Sequence, residues 1–183
     1  MAETNRSNLF GNLNDVYSAV GGIRAIMFSS YFGLAVALAA SSWRSIIVEN
    51  DVERWTSTVL AIFPSLAGFS IAAFALLFAL LDEHTKRILS KPSDRFNGKS
   101  PLIMVVGILT HALIIQIITI LYALVYQERP LPDFWGVGET TNRALAFLGV
   151  WLLFYGILLM IAVVLTIFKM VELLNKPRSH PPM

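Results

Sequence analysis

The stretch LIMVVGILTHALIIQIITILYALVY, from Leu102 to Tyr126, holds not one Asp, Glu, Lys or Arg. At about 1.5 Å per residue, a helix of this length rises roughly 37 Å, more than the ~30 Å of bilayer hydrocarbon. A helix apolar on every side belongs in the core of a large protein or in a membrane, and a chain of 183 residues is not large. Three further stretches have the same character: Ala25 to Trp43, Ser57 to Leu81 and Ala144 to Phe168. None alternates strictly, as the short strands of a membrane barrel would, so helices remain the way to satisfy the backbone in lipid.

The reading is therefore an all-α polytopic membrane protein with four transmembrane helices, over about 25–43, 57–81, 102–126 and 144–168. Residues 1–175 form one bundle. The tail 176–183 carries Pro177, Pro181 and Pro182, cannot continue a helix, and is expected to be disordered. Composition agrees: 56% of residues are hydrophobic and 14% charged, against about 25% charged in soluble domains. With no cysteine, disulfides and thiol chemistry are excluded. A net charge of +2 is too small to suggest nucleic-acid binding.

Basic residues set the orientation. Arg6, Arg24, Lys86, Arg87, Lys91, Arg95, Lys99, Lys169, Lys176 and Arg178 fall on one side; Arg44, Arg54, Arg129 and Arg143 fall on the other. The richer side is the cytoplasmic one, which puts both termini and the middle loop there. Trp43, Trp55, Trp135, Tyr122 and Tyr126 read as an aromatic belt at the outer interface. A rival reading takes Ala37-Leu38-Ala39 as a signal-peptidase site, which would leave three spans. The long segment before the apolar run, with Glu3 and Asp15, argues against it.

Leu9, Phe10, Leu13, Val16, Tyr17 and Val20 recur at helical spacing. Ser7 or Asn8 would cap this helix, and Gly21-Gly22 would end it. It is an amphipathic N-terminal helix that either lies in the inner membrane interface or packs on the cytoplasmic end of the bundle.

The second stretch is the most patterned. Ala61, Ser65, Gly68, Ala72, Ala75 and Ala79 form a heptad of small side chains along one stripe of a helix. Small residues let a second backbone approach closely, which drives association in lipid. The partner is either another helix of the same chain or a second copy. Pro64, in the same stretch, removes a backbone donor and is a possible hinge. The third stretch carries His111, Gln116 and Thr119 near its middle. Polar groups at that depth face protein or water, so they read as a pore lining or gate, or as interhelical hydrogen bonds.

No catalytic, cofactor or metal constellation appears. His84, His111 and His180 lie far apart, and no phosphate loop or dinucleotide fingerprint is present. Asp82-Glu83-His84 fits a solvated helix terminus. Non-enzymatic function is the expectation. The exposed basic residues Lys86, Arg87, Lys91, Arg95 and Lys99 are candidates for contact with a cytosolic partner.

With four spans and the run Pro64-Ser65-Leu66-Ala67-Gly68-Phe69-Ser70-Ile71-Ala72-Ala73-Phe74-Ala75, the chain resembles the small inner-membrane subunits of bacterial anti-phage systems, of the Kiwa membrane-subunit kind. The resemblance implies a homo-oligomer in the bacterial inner membrane, acting as a sensor or scaffold with a cytosolic partner in antiviral defence. A gated, poorly selective pore is the alternative. Membrane lipid, a second copy and a cytosolic protein are the partners expected; nucleic acid is not.

Overall fold

The computed structural model describes residues 9–42, 52–92, 98–127 and 138–175. Every regular element among them is a helix: α1 (Leu9–Val20), α2 (Ile23–Met27), α3 (Ser30–Ser41), α4 (Val52–Leu80), α5 (Glu83–Leu89), α6 (Pro101–Gln127) and α7 (Gly138–Asn175). Three of these, α4, α6 and α7, are long and apolar enough to cross a membrane.

The expected boundaries widen at both ends of the last stretch, where α7 runs 38 residues, about 57 Å. The first stretch differs more. It is not one helix from Ala25 to Trp43 but two, broken at Phe28-Ser29. Ser29 leaves the helical region at ψ 144° and its hydroxyl accepts from the Phe32 amide at 3.2 Å. That bond caps a new helix and ends the old one. The resulting α3 has 12 residues, about 18 Å, and falls short of the hydrocarbon thickness by itself. Trp43 lies outside the described residues, as do Ser7, Asn8, Arg95, Trp135 and the tail from 176.

The long helices lie side by side, with α7 at the centre. It packs against α3, α4 and α6, while α4 also lies along α6. One end of the bundle gathers Ala39, Trp55, Phe63, Tyr126 and Val150 into a core. The other end gathers Leu81, Val105, Leu109, Leu159 and Met170. Two glycines of α7 make this packing possible. A Cβ on Gly156 would lie 2.7 Å from the Phe63 ring, and one on Gly149 would strike the Trp55 indole. Tyr126 donates to the Asn142 carbonyl and Tyr122 to the Leu145 carbonyl, each at 2.8 Å. These bonds close the antiparallel pair α6–α7.

A helix runs over Leu9–Val20 and lies against α6. Leu13, Val16, Tyr17, Ala19 and Val20 are half-buried, whereas Asn12, Asn14, Asp15 and Ser18 are exposed. Ala19 meets Gly107 so closely that a Cβ there would sit 2.9 Å from its methyl. Lys99 Nζ donates to the Ser18 carbonyl, a cation at the negative end of α1. Gly21 and Gly22 then turn the chain at φ 112° and 89°, a region that costs other residues strain.

Candidate functional site

The small-residue stripe of α4 points away from the bundle. Ala61, Ser65, Gly68, Ala72, Ala75 and Ala79 are all exposed, so the stripe does not serve packing within one chain. Val59, Phe63, Ser70 and Leu77, on the opposite side of the helix, make the internal contacts. Only 17% of the most apolar window of α4 is buried, against 39% for α6 and 56% for α7. A Cβ built on Gly68 meets nothing within 4 Å. Beside the stripe, Phe69, Leu76, Leu77, Ile167 and Met170 border an apolar groove of about 290 Å³ between α4 and α7, with Ala72 on its edge. Pro64 is exposed within an α4 that continues unbroken through it.

The polar residues of α6 face inward. Gln116 and Thr119 have no exposed surface, and His111 is 4% exposed. Gln116 joins three helices: its amide donates to Met160 Sδ at 2.9 Å, and Ser70 Oγ lies 3.0 Å from its Oε1. Ser70 is also 3.1 Å from the Leu66 carbonyl and 3.3 Å from Met160 Sδ, so its one proton serves a single acceptor at a time. Thr119 donates to the Ile115 carbonyl at 2.7 Å. His111 Nε2 and Tyr155 Oη are 3.0 Å apart, and Tyr17 of α1 meets the imidazole edge-on at 5.8 Å. Gln116 and Thr119 thus sit in the packed interior of one chain and His111 on the inner wall of a cavity, each within bonding distance of its own helix or a neighbour.

The sequence offered the bonding reading for these groups but not their partners. Ser70 and Met160 look like ordinary span residues until α4 and α7 are placed on either side of α6. Gly149 and Gly156 were missed as packing residues. Their seven-residue spacing was the available signal, obscured by the more conspicuous stripe in α4.

The basic segment is divided. Arg87 and Lys91 are exposed and Lys86 is half-buried. Lys99 is half-buried and its ammonium is engaged by the Ser18 carbonyl of α1. Asp82 caps α5, accepting from the Thr85 amide at 2.9 Å. The hydrogen bonds from Thr85 hold its carboxyl below the ordinary 3.8. Glu83 and His84 beside it are exposed, as a solvated helix terminus requires.

Among the described residues, no group of three His, Cys, Asp or Glu side chains converges on a point where an ion would be held. No family model, no curated protein and no solved structure matches the chain.

Proposed function

We propose that this protein is a homo-oligomeric membrane subunit that acts as a sensor or scaffold, assembling through α4 and recruiting a cytosolic partner. The observation that carries the reading is the exposure of all six small residues of the α4 stripe. Toward lipid, such a stripe gains little; toward a second helix, it permits close backbone contact. The groove beside it, between α4 and α7, extends the same face. In this reading the interrupted α2–α3 segment is the fourth crossing. Both termini are cytoplasmic, following the ten-to-four division of Lys and Arg. Arg87 and Lys91 then lie on the cytoplasmic surface as partner contacts.

The bacterial inner membrane and a place in anti-phage defence follow from the resemblance noted above. A pore would have less to work with. Its strongest candidate lining, His111, Gln116 and Thr119, is turned into the chain's own core.

Light scattering of the detergent-solubilised protein tests the assembly. Wild type is expected to be oligomeric, Gly68→Leu to shift toward monomer, and Ile71→Leu, exposed off the stripe, to behave as wild type. A monomeric wild type, or an unchanged Gly68→Leu, would remove the α4 contact. Affinity capture of the partner from cells, repeated with Arg87→Glu/Lys91→Glu, tests recruitment separately.

A further inference from the structure

A second feature lies on the other side of the bundle from the α4 stripe. The turn from α1 into α2, the first half of α6 and the C-terminal half of α7 border a cavity of about 280 Å³. Along α7 its wall is Tyr155, Leu159, Ala162, Thr166 and Lys169. These are four, three, four and three residues apart, a single stripe of the helix.

Of the α7 wall, Tyr155 and Lys169 stand at the two ends with Thr166 one turn short of Lys169, and Ser29 and Tyr31 add hydroxyls to the lining. His111 and Tyr155 bond to each other at 3.0 Å and close one end. Lys169 stands exposed at the other, about 21 Å away along α7. Between them Ile26 of α2 and Ile108 of α6 face Leu159 and Ala162 across the cavity.

The surroundings decide what can enter. At the rim, Ala25, Leu165 and Lys169 are exposed. The neighbouring surface carries Ile23, Met27 and Phe168 at 63%, 55% and 66% exposure. On a helical bundle that crosses a membrane, such a surface meets lipid rather than water. An exposed cation in the C-terminal part of a long helix, at the mouth of an apolar cleft between helices, suits an anionic headgroup. Its four-carbon stem can lie along apolar surface while the ammonium reaches the interface.

We propose that this cavity binds an anionic phospholipid, one acyl chain along the Leu159–Ala162 wall and the headgroup phosphate on Lys169. The α1–α2 turn, held by Lys99 to the Ser18 carbonyl, covers the chain from the side. No residue of α4 borders this cavity, so the lipid site stands whether or not the stripe assembles copies.

The full-length protein, reconstituted in mixed phosphatidylglycerol and phosphatidylcholine vesicles and extracted in mild detergent, would be weighed by native mass spectrometry. Wild type is expected to retain phosphatidylglycerol in preference to phosphatidylcholine. Lys169→Gln should reduce that preference about fivefold. Ala162→Phe, which fills the cavity, should abolish retention of both lipids. Ala25→Phe blocks the rim from an exposed position, and circular dichroism confirms that each variant is helical. If Ala162→Phe fails to fold, Ala25→Phe decides alone. Equal retention of the two lipids by wild type would overturn the proposal. So would wild-type retention by a helical Ala25→Phe, or conversion of a dimer to monomer by that variant without change in bound lipid.

Discussion

The Phe63 ring of α4 occupies the space that a side chain at Gly156 of α7 would need: a Cβ there would lie 2.7 Å from Cε1 and 2.8 Å from Cζ. Phe63 is itself fully buried, so the ring has nowhere to withdraw. Gly156→Ala should therefore destabilise the bundle by roughly 1–3 kcal/mol, the range for overpacking a filled core. Gly68→Ala, with open space around its Cβ, should change single-chain stability by less than about 0.5 kcal/mol. Denaturant unfolding in detergent micelles compares the two, and equal losses would mean that Gly156 has room the packing does not show.

At mid-bundle, Ser70 and Gln116 are expected to be coupled. Gln116→Leu removes the bonds to Ser70 and Met160 together. Its net cost should be about 0.6 to 2 kcal/mol, as for other hydrogen bonds between membrane helices. A double-mutant cycle with Ser70→Ala isolates the shared part; a coupling energy indistinguishable from zero would show the pair to be adjacent but energetically independent.

Asp82 gives a pH dependence of known sign. Its folded carboxyl titrates below the ordinary 3.8 because Thr85 bonds to the charged form. Its contribution to α5 is therefore fully present above the unfolded value and is lost as pH falls through the lower, folded one. Asp82→Ala should fray Glu83–Leu89 at neutral pH, seen as faster amide hydrogen exchange at Thr85. In acid, below both titrations, variant and wild type should converge. A difference that persisted there would assign the cap to something other than the carboxylate.

The absence of native cysteine allows a clean test of sidedness. Single cysteines at the exposed positions Ser57, Thr140 and Lys91 would be treated with an impermeant thiol reagent on intact cells. Ser57 and Thr140 should react and Lys91 should not. Thr56 is 1% exposed and would be a poor reporter. Labelling at Lys91 with none at the other two would reverse the assigned orientation.

Much of the fold was legible because lipid imposes a simple rule: a long stretch without charge becomes a helix. The second, third and fourth stretches obey it, each with an end displaced by only a few residues except in α7. The first stretch does not, because one hydroxyl, that of Ser29, captures the Phe32 amide, and apolarity carries no record of such a local bond. The direction of the α4 stripe was equally hidden. Ala61, Ser65 and Gly68 would read the same on an inner or an outer face, and only Phe63 and Trp55 docking onto the glycines of α7 turns them outward. For His111 and Gln116, depth and polarity are legible in the sequence, but their partners Tyr155, Ser70 and Met160 come from helices distant in the chain.

The order of burial across the three long helices bears on how the protein is made. Of the most apolar part of each helix, 17% is buried in α4, 39% in α6 and 56% in α7. The most buried of the three is the one the others pack around, and it follows α4 and α6 in the chain. Until α7 leaves the ribosome, Trp55 and Phe63 have no glycines to receive them, and Gln116 has no thioether. α4 and α6 must enter the bilayer with these faces turned to lipid or to the insertion machinery, and rotate or close only when α7 arrives. A chain interrupted before residue 138 would have apolar segments able to insert, yet no centre on which to assemble them.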